Sequence, residues 1–345
     1  GLGDVYKRQA ERGVATTVVD PTGGMTYQRG ELLPEAASAI MDRLGLGRVL
    51  RSARKIARVD SHWGHAQLQA HGGHPTLGLH GWGVDRQSLA TAMIARLCSL
   101  GGTVKNARIS KCRWTNAQWT LAASGRSGTD VMQADYVIDA TGRPAHVGRR
   151  QGANLHAGPD LVGVIWQSND RDQTAMVSEA TKDGWWYAVP HAFGRTIGFM
   201  TTATEAKCIR QHPDRFLSNA RKTLKILSVS QVSGRPRMMD SRSAVLSQRS
   251  GCGWLATGDA AAAFDPIASQ GLFNALSGGF FAGNASADAV SGDQDAPLVY
   301  AALAAKTAEQ THRLSPLQYA AMPYDTPFWQ CFANGGRSED IHIPA

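Results

Sequence analysis

The run Gly253-Trp254-Leu255-Ala256-Thr257-Gly258-Asp259-Ala260-Ala261-Ala262-Ala263-Phe264-Asp265-Pro266-Ile267-Ala268-Ser269-Gln270-Gly271-Leu272 decides the fold. Trp254 to Thr257 reads as a short buried strand delivering Gly258 and Asp259 at its end. There a carboxylate can hold a polyol hydroxyl while the alanines admit a ligand. Pro266 opens a loop into a helix carrying small residues at Gly271, Ala275, Ser277, Gly278, Gly279 and Ala282. A helix start carries roughly half a positive charge and so favours an anionic group. Tight packing accounts for the small residues but not for Gly-Asp and Asp-Pro at this separation.

Towards the amino terminus, Val14 to Val19 is a short β-branched strand ending in Asp20, preceded by a helix end stopped at Gly13. This is the second half of a βαβ unit. Asp20 sits where a dinucleotide fold places the acid that binds a ribose 2′-hydroxyl, although Pro21-Thr22-Gly23-Gly24 also suits a plain turn aspartate. The expected first strand and Gly-x-Gly-x-x-Gly turn do not fit in the residues before Ala10. Asp4-Val5-Tyr6-Lys7-Arg8-Gln9 resembles translated adaptor readthrough, so the glycine turn is expected to be lost from this chain.

Arg29-Gly30-Glu31 leads through Leu32-Leu33-Pro34 into a helical pattern, Ala37, Ile40, Met41 and Leu44, ending at Gly45. Leu89, Ala92, Met93 and Leu97 give a second helical stripe with Asp85 as its expected N-cap and Gly101-Gly102 as its stop. Strands are expected around Val104, from Trp114 to Ala123, and over Ala134 to Asp139 before a small-residue turn at Ala140-Thr141-Gly142. Val162 to Trp166, Trp185 to Val189 and Thr196 to Met200 are strand-like, and a helix runs from about Pro297 to His312 before an irregular Pro/aromatic tail.

The chain has 345 residues, 43% of them hydrophobic and 19% charged, which argues for a compact protein rather than a disordered or fibrous one. Its net charge, 36 − 28 = +8, favours anionic partners without naming one. The basic residues are dispersed, so nucleic-acid binding is not expected. Cys98, Cys112, Cys208, Cys252 and Cys331 are scattered without a Cys-x-x-Cys pair, so neither a disulfide framework nor a metal site is suggested and a reducing, cytoplasmic setting is the default. No uncharged apolar run suggests a membrane span. His62, His65, His74 and His80 show no metal-ligand spacing and read as partly exposed loop histidines.

Asp20, Arg29-Gly30-Glu31, Asp85-Arg86, Asp139-Ala140-Thr141-Gly142 and Gly258-Asp259 through Gln270-Gly271 together resemble the FAD-dependent group that includes para-hydroxybenzoate-hydroxylase-like monooxygenases, tryptophan halogenases and related reductases. The resemblance implies an α/β chain: a discontinuous Rossmann-like FAD-binding domain (1–154 and 236–295), an inserted antiparallel β substrate domain (155–235) and a C-terminal helical tail (296–345). It implies FAD as cofactor, with Asp20 at the adenosine ribose, Arg29, Arg86 and Gly142 near the cofactor, and Gly258 and Asp259 at the ribityl or pyrophosphate portion. Pro266, Gln270 and Gly271 would lie at the helix start facing the flavin ring.

Within that group, Trp63-Gly64, Gly81-Trp82, Gly184-Trp185-Trp186-Tyr187 and Tyr324-Asp325-Thr326-Pro327-Phe328-Trp329 look most like flavoproteins that mature peptidyl quinone cofactors. This implies oxygenation of a tryptophan-like aromatic substrate, free or peptidyl, through a flavin hydroperoxide, at a site walled by Trp63, Trp82, Trp185 and Trp186. A quinoprotein partner and a flavin reductase or other electron donor are implied as well. Core packing is the competing account of each tryptophan. A halogenase is the alternative: Lys55 is the candidate lysine, but Trp185-Trp186-Tyr187-Ala188-Val189-Pro190 stands in place of Trp-x-Trp-x-Ile-Pro. A flavin-free binding scaffold, or an inactive fragment, is the third reading.

Overall fold

The computed structural model describes residues 13–25, 29–63, 69–71, 81–126, 128–232 and 234–335. The segment before Gly13, and with it the expected helix end and Asp4 to Gln9, lies outside the described residues, as do His65, His74 and His80.

Two parallel strand pairs build the lower half. Thr17–Val19 pairs with Thr103–Lys105, Val18 opposite Val104, and Val137–Asp139 pairs with Trp254–Ala256, Ile138 opposite Leu255. Parallel pairing requires crossovers, and the helix Arg86–Ser99 supplies the first, capped as expected by Asp85, whose carboxylate accepts from Ser88 N at 2.8 Å. The helices Gly271–Val290 and Ala296–Ala320 close the layer, burying Ala282, Ala285 and Tyr300 with Val18, Leu97 and Leu255. The small residues of Gly271–Val290 thus serve close helix–strand packing as well as any ligand.

A seven-stranded sheet forms the upper half, in the order Arg237–Asp240, Val162–Ser168, Gly194–Thr201, Gly184–His191, Met176–Thr181, Val59–His62 and Gln69–His71. All neighbours are antiparallel except Met176–Thr181 with Val59–His62, which run parallel. The sheet therefore draws strands from both sides of 155–235. Val59–His62 is too short to announce a partner more than a hundred positions away, so the sequence placed it with the lower half.

Alternation across this sheet sorts its residues. Trp186, opposite Phe199, lies with Val164, Trp166 and Ala188 on the face packed by the helices Ala203–Gln211 and Pro213–Thr223. Trp185, opposite Met200, is on the other face. Glu179 stitches the chain after the second helix to the sheet: its buried carboxylate accepts from Lys225 N at 2.6 Å and from Ile226 N and Leu227 N at 3.0 Å. Glu179→Gln presents an amide to one of those N–H groups and is expected to cost about 2 kcal/mol, read as a lowered urea midpoint at unchanged m-value.

Two sequence readings change. Trp114 to Ala123 is not one strand but a hairpin joining Ala107–Thr115 to Gln118–Gly125, turned at Asn116 and Ala117 with φ of 52° and 58°. Both central residues of a type I′ turn need positive φ, and alanine at the second hides the signal that glycine gives. The C-terminal helix continues through Pro316 to Ala320, and the aromatic tail forms the helix Pro327–Ala333, with Phe328, Trp329 and Phe332 buried beside Trp185. No helix among the described residues is long and apolar enough to cross a membrane.

Candidate functional site

Between the strand ends of the lower half and the under-face of the sheet lies a cavity of about 700 Å³. Its floor is made by turns. Asp139, fully buried, accepts from Thr141 N at 3.1 Å, Thr141 Oγ1 at 2.7 Å, Val147 N at 2.8 Å and Gly148 N at 2.9 Å. The acid of the Asp-Ala-Thr-Gly string is thus a positioning residue that pins the turn and brings Gly142, at φ 73°, to the cavity wall. Gly258 takes φ 58° at the end of Trp254–Ala256, placing Asp259 on the same wall, 3.9 Å from Arg143 Nε. Arg143, which the sequence reading did not single out, also donates to the carbonyl of Arg242.

Asp265 caps its own turn by accepting from Ile267 N at 2.9 Å, and Ser269 follows at φ 50°. This reversal launches the helix Gly271–Val290 with no side-chain cap, leaving its first-turn N–H groups for whatever fills the space beside Gly271. Burial drives the Asp265 carboxyl up to about 6 against the opposing pull of Ile267 N–H, Tyr319 and Arg143. Tyr319 OH donates to Asp265 Oδ1 at 3.0 Å and accepts from Trp185 Nε1 at 3.4 Å. Burial first, and Asp265 second, raise the Tyr319 phenol well above its ordinary value, so it stays a donor.

Asp20 follows its strand and borders the cavity, yet its carboxylate is engaged locally: Oδ1 accepts from Thr22 N and Thr22 Oγ1 at 2.8 Å, and Oδ2 from Gly24 N at 3.2 Å. Asp20 thus serves its own turn while also bordering the cavity. Arg29 and Arg86 border the cavity and share Glu31, with Arg86 Nη1 at 3.2 Å from each carboxylate oxygen. Burial would raise Glu31, but Arg86 and Arg29 outweigh it and hold the carboxyl below its ordinary value. Arg29 Nη1 also reaches Met239 Sδ in the sheet at 2.8 Å, joining floor to roof.

The roof is aromatic and thioether-rich. Trp63 and Trp185 lie 6.0 Å apart at 50°, with Tyr187, Met176, Met200, Met239 and Met322 around them. Methionines adapt to irregular ring-shaped ligands, and the sequence reading overlooked them because their spacing shows no period. Trp82 and Trp186 do not line the cavity: Trp186 faces the two helices above the sheet, and Trp82 packs against the cluster of Leu33, Met41 and Leu50. Gln270 precedes the helix without bordering the cavity, whereas Pro266 and Gly271 border it. Lys55 is exposed on the strand Arg54–Ile56, and His62, expected in a loop, is 6% exposed in a strand.

These residues fit an FAD. A methyl built on Gly142 or Gly271 meets no protein atom within 4 Å, so both positions leave open space at the cavity wall rather than filling a core. Asp259, Arg143 and an uncapped helix start would supply the polar contacts that a polyol and an electron-poor ring require.

No family model and no curated protein matches the chain. Solved structures do. The flavin-dependent halogenase CmlS superposes with a TM-score of 0.81 at 20% identity, over 99% of this chain and 66% of its own, so this chain spans just under two thirds of that enzyme's length. The myxobacterial chondrochloren halogenase CndH, an FAD-dependent halogenase, gives 0.83 at 16% identity, over 99% and 89%. The peptidyl tryptophan dihydroxylase QhpG, essential for tryptophylquinone cofactor biogenesis, gives 0.75 at 19% identity, over 100% and 79%. The chain has the fold of the FAD-dependent halogenases and hydroxylases.

Proposed function

We propose that this protein is an FAD-dependent oxidoreductase that oxygenates an aromatic, tryptophan-like substrate, free or within a peptide. One observation carries the reading: a single cavity joins a floor of left-handed glycine turns and an uncapped helix start to a roof of Trp63, Trp185, Tyr187 and methionines. A floor of that kind suits a phosphate- and polyol-bearing cofactor, and such a roof suits a planar ring stacked above it. Bound FAD supplies the activation of dioxygen.

The chain's own residues orient and enclose. Gly142, Gly258 and Asp259 would hold the cofactor's polar arm, and the uncapped first turn of Gly271–Val290 would offer its positive end to an electron-rich part of the cofactor. Tyr319, fixed between Asp265 and Trp185, sets the tilt of the indole that meets the substrate. The apolar roof excludes water, which protects reactive oxygen species from hydrolytic loss. Oxygenation is preferred to halogenation because Lys55, the candidate halogenating lysine, lies on the surface and not on the cavity wall.

The test is uptake of added FAD, followed by turnover with a reductase-supplied electron source, isotopically labelled dioxygen, chloride and a tryptophan-containing peptide. Label in the peptide product supports the proposal. A chlorinated product transfers it to halogenation, and a folded protein that takes up no FAD removes it.

A further inference from the structure

A second cavity, of about 430 Å³, lies between the strand Ala244–Leu246 and the later turns of the helix Ala296–Ala320. Asp265 and Tyr319 border it, while their chain neighbours Pro266 and Gln318 border the first cavity. Arg249 lines this second space. It is only 8% exposed, and its Nε is buried without an acceptor. Among the described residues no carboxylate pairs with it: Glu309, on the same wall, holds Arg313, and Asp265 is taken up by Ile267 N–H and Tyr319. Beside it His312 Nε2 is likewise buried and without a partner.

An isolated buried guanidinium is costly, and proteins retain one where an anion completes it. Burial holds Arg249 below its ordinary value, opposed by Tyr300, and burial together with the Arg249 charge does the same to His312. Charge is thus disfavoured on both groups, and an anion bound between them would offset that cost for each. Guanidinium is the side chain best matched to a two-oxygen anion, and a neutral imidazole can donate a further hydrogen bond. The remaining wall includes Val245, Pro316 and Phe332, so the space offers an apolar surface next to its charged end.

We propose that this second cavity binds a small organic anion, its carboxylate or phosphate seated between Arg249 and His312 and its apolar part against Val245, Pro316 and Phe332. The proposed contacts, Arg249, His312, Val245, Pro316 and Phe332, all lie outside the first cavity's wall, so the proposal does not rest on the flavin reading even though Asp265 and Tyr319 border this space as well.

The experiment titrates the full chain with benzoate and with inorganic phosphate, following melting temperature and heat of binding, and compares Arg249→Met. Wild type is expected to show a saturable rise in melting temperature with at least one probe, and Arg249→Met to bind it at least ~30-fold more weakly, as loss of a buried charged contact implies. Without ligand the variant should melt no lower than wild type, because it removes an unpaired buried charge. Tighter benzoate marks a carboxylate ligand and tighter phosphate a phosphate ester, and both support the site. Should Arg249→Met fail to fold, His312→Leu reads the same contact and is expected to bind several-fold more weakly. No saturable response in wild type, or equal binding by wild type and variant, overturns the proposal. FAD uptake, measured in parallel, reports on the first cavity alone.

Discussion

Gly271→Leu is expected to weaken FAD binding by at least ~100-fold, on the order of 3 kcal/mol, while the fold stays at least as stable as the parent. The two halves of that result have separate causes. A Cβ built at Gly271 meets no neighbouring protein atom within 4 Å, so the branch point of the new side chain starts in open space. In a helix, leucine is favoured over glycine by up to ~1 kcal/mol, although the first turn realises only part of it. What the side chain enters is the cavity, at the uncapped helix start where the cofactor ring is placed by the proposed function. Quenching of flavin fluorescence on titration measures the first half, and a urea midpoint the second. Gly83 is the contrasting position: a Cβ there would fall 1.6 Å from the carbonyl oxygen of Pro190, so any replacement disrupts the seam between floor and roof whether or not FAD binds. Unchanged FAD affinity in Gly271→Leu would remove this helix start from the cofactor site.

Much of the floor is legible in the sequence, because its features are local. A strand ending in Gly-Asp, a proline opening the following loop and a helix of small residues all declare themselves within twenty positions, and Asp85 as N-cap needs only the helix that follows it. The roof was less legible. Trp185 and Trp186 are adjacent, and which of them meets the cavity depends on the face that the helices Ala203–Gln211 and Pro213–Thr223 cover, a tertiary fact. Asp139 shows the same limit at an acidic residue: the string around it pointed to the cofactor, whereas its carboxylate is spent on four donors within its own turn and helix. Glu31, quoted only as part of a motif, proves to be what holds both arginines in place. Pairing of a buried acid with distant donors leaves no spacing rule in the chain. The unpaired Arg249 is still less visible, since the absence of a partner can be read only from the folded surroundings.

Asp265 connects the floor, the roof and the second cavity, and its titration is open to a direct test. Its carboxyl ionises at about 6 in the folded protein, against an ordinary value of 3.8. Below the ordinary value the folded and unfolded chains both carry the proton, so the group leaves stability unaffected. Between about 4 and 6 the unfolded carboxyl has ionised while the folded one keeps its proton. Raising the pH through that window therefore draws the equilibrium towards the unfolded chain, up to about 3 kcal/mol by neutral pH as an upper bound. Asp265→Asn removes the titration yet keeps an oxygen for Ile267 N–H and Tyr319 OH, both of which bond to Oδ1 alone. The variant is expected to be about as stable as wild type near pH 4 and more stable at pH 7, with urea midpoints diverging between. The same substitution leaves Tyr319 oriented, so the Trp185 tilt and substrate binding should change little. Midpoints that run parallel across the window would mean that Asp265 ionises normally, and that the burial of its carboxyl is relieved by contacts other than these two.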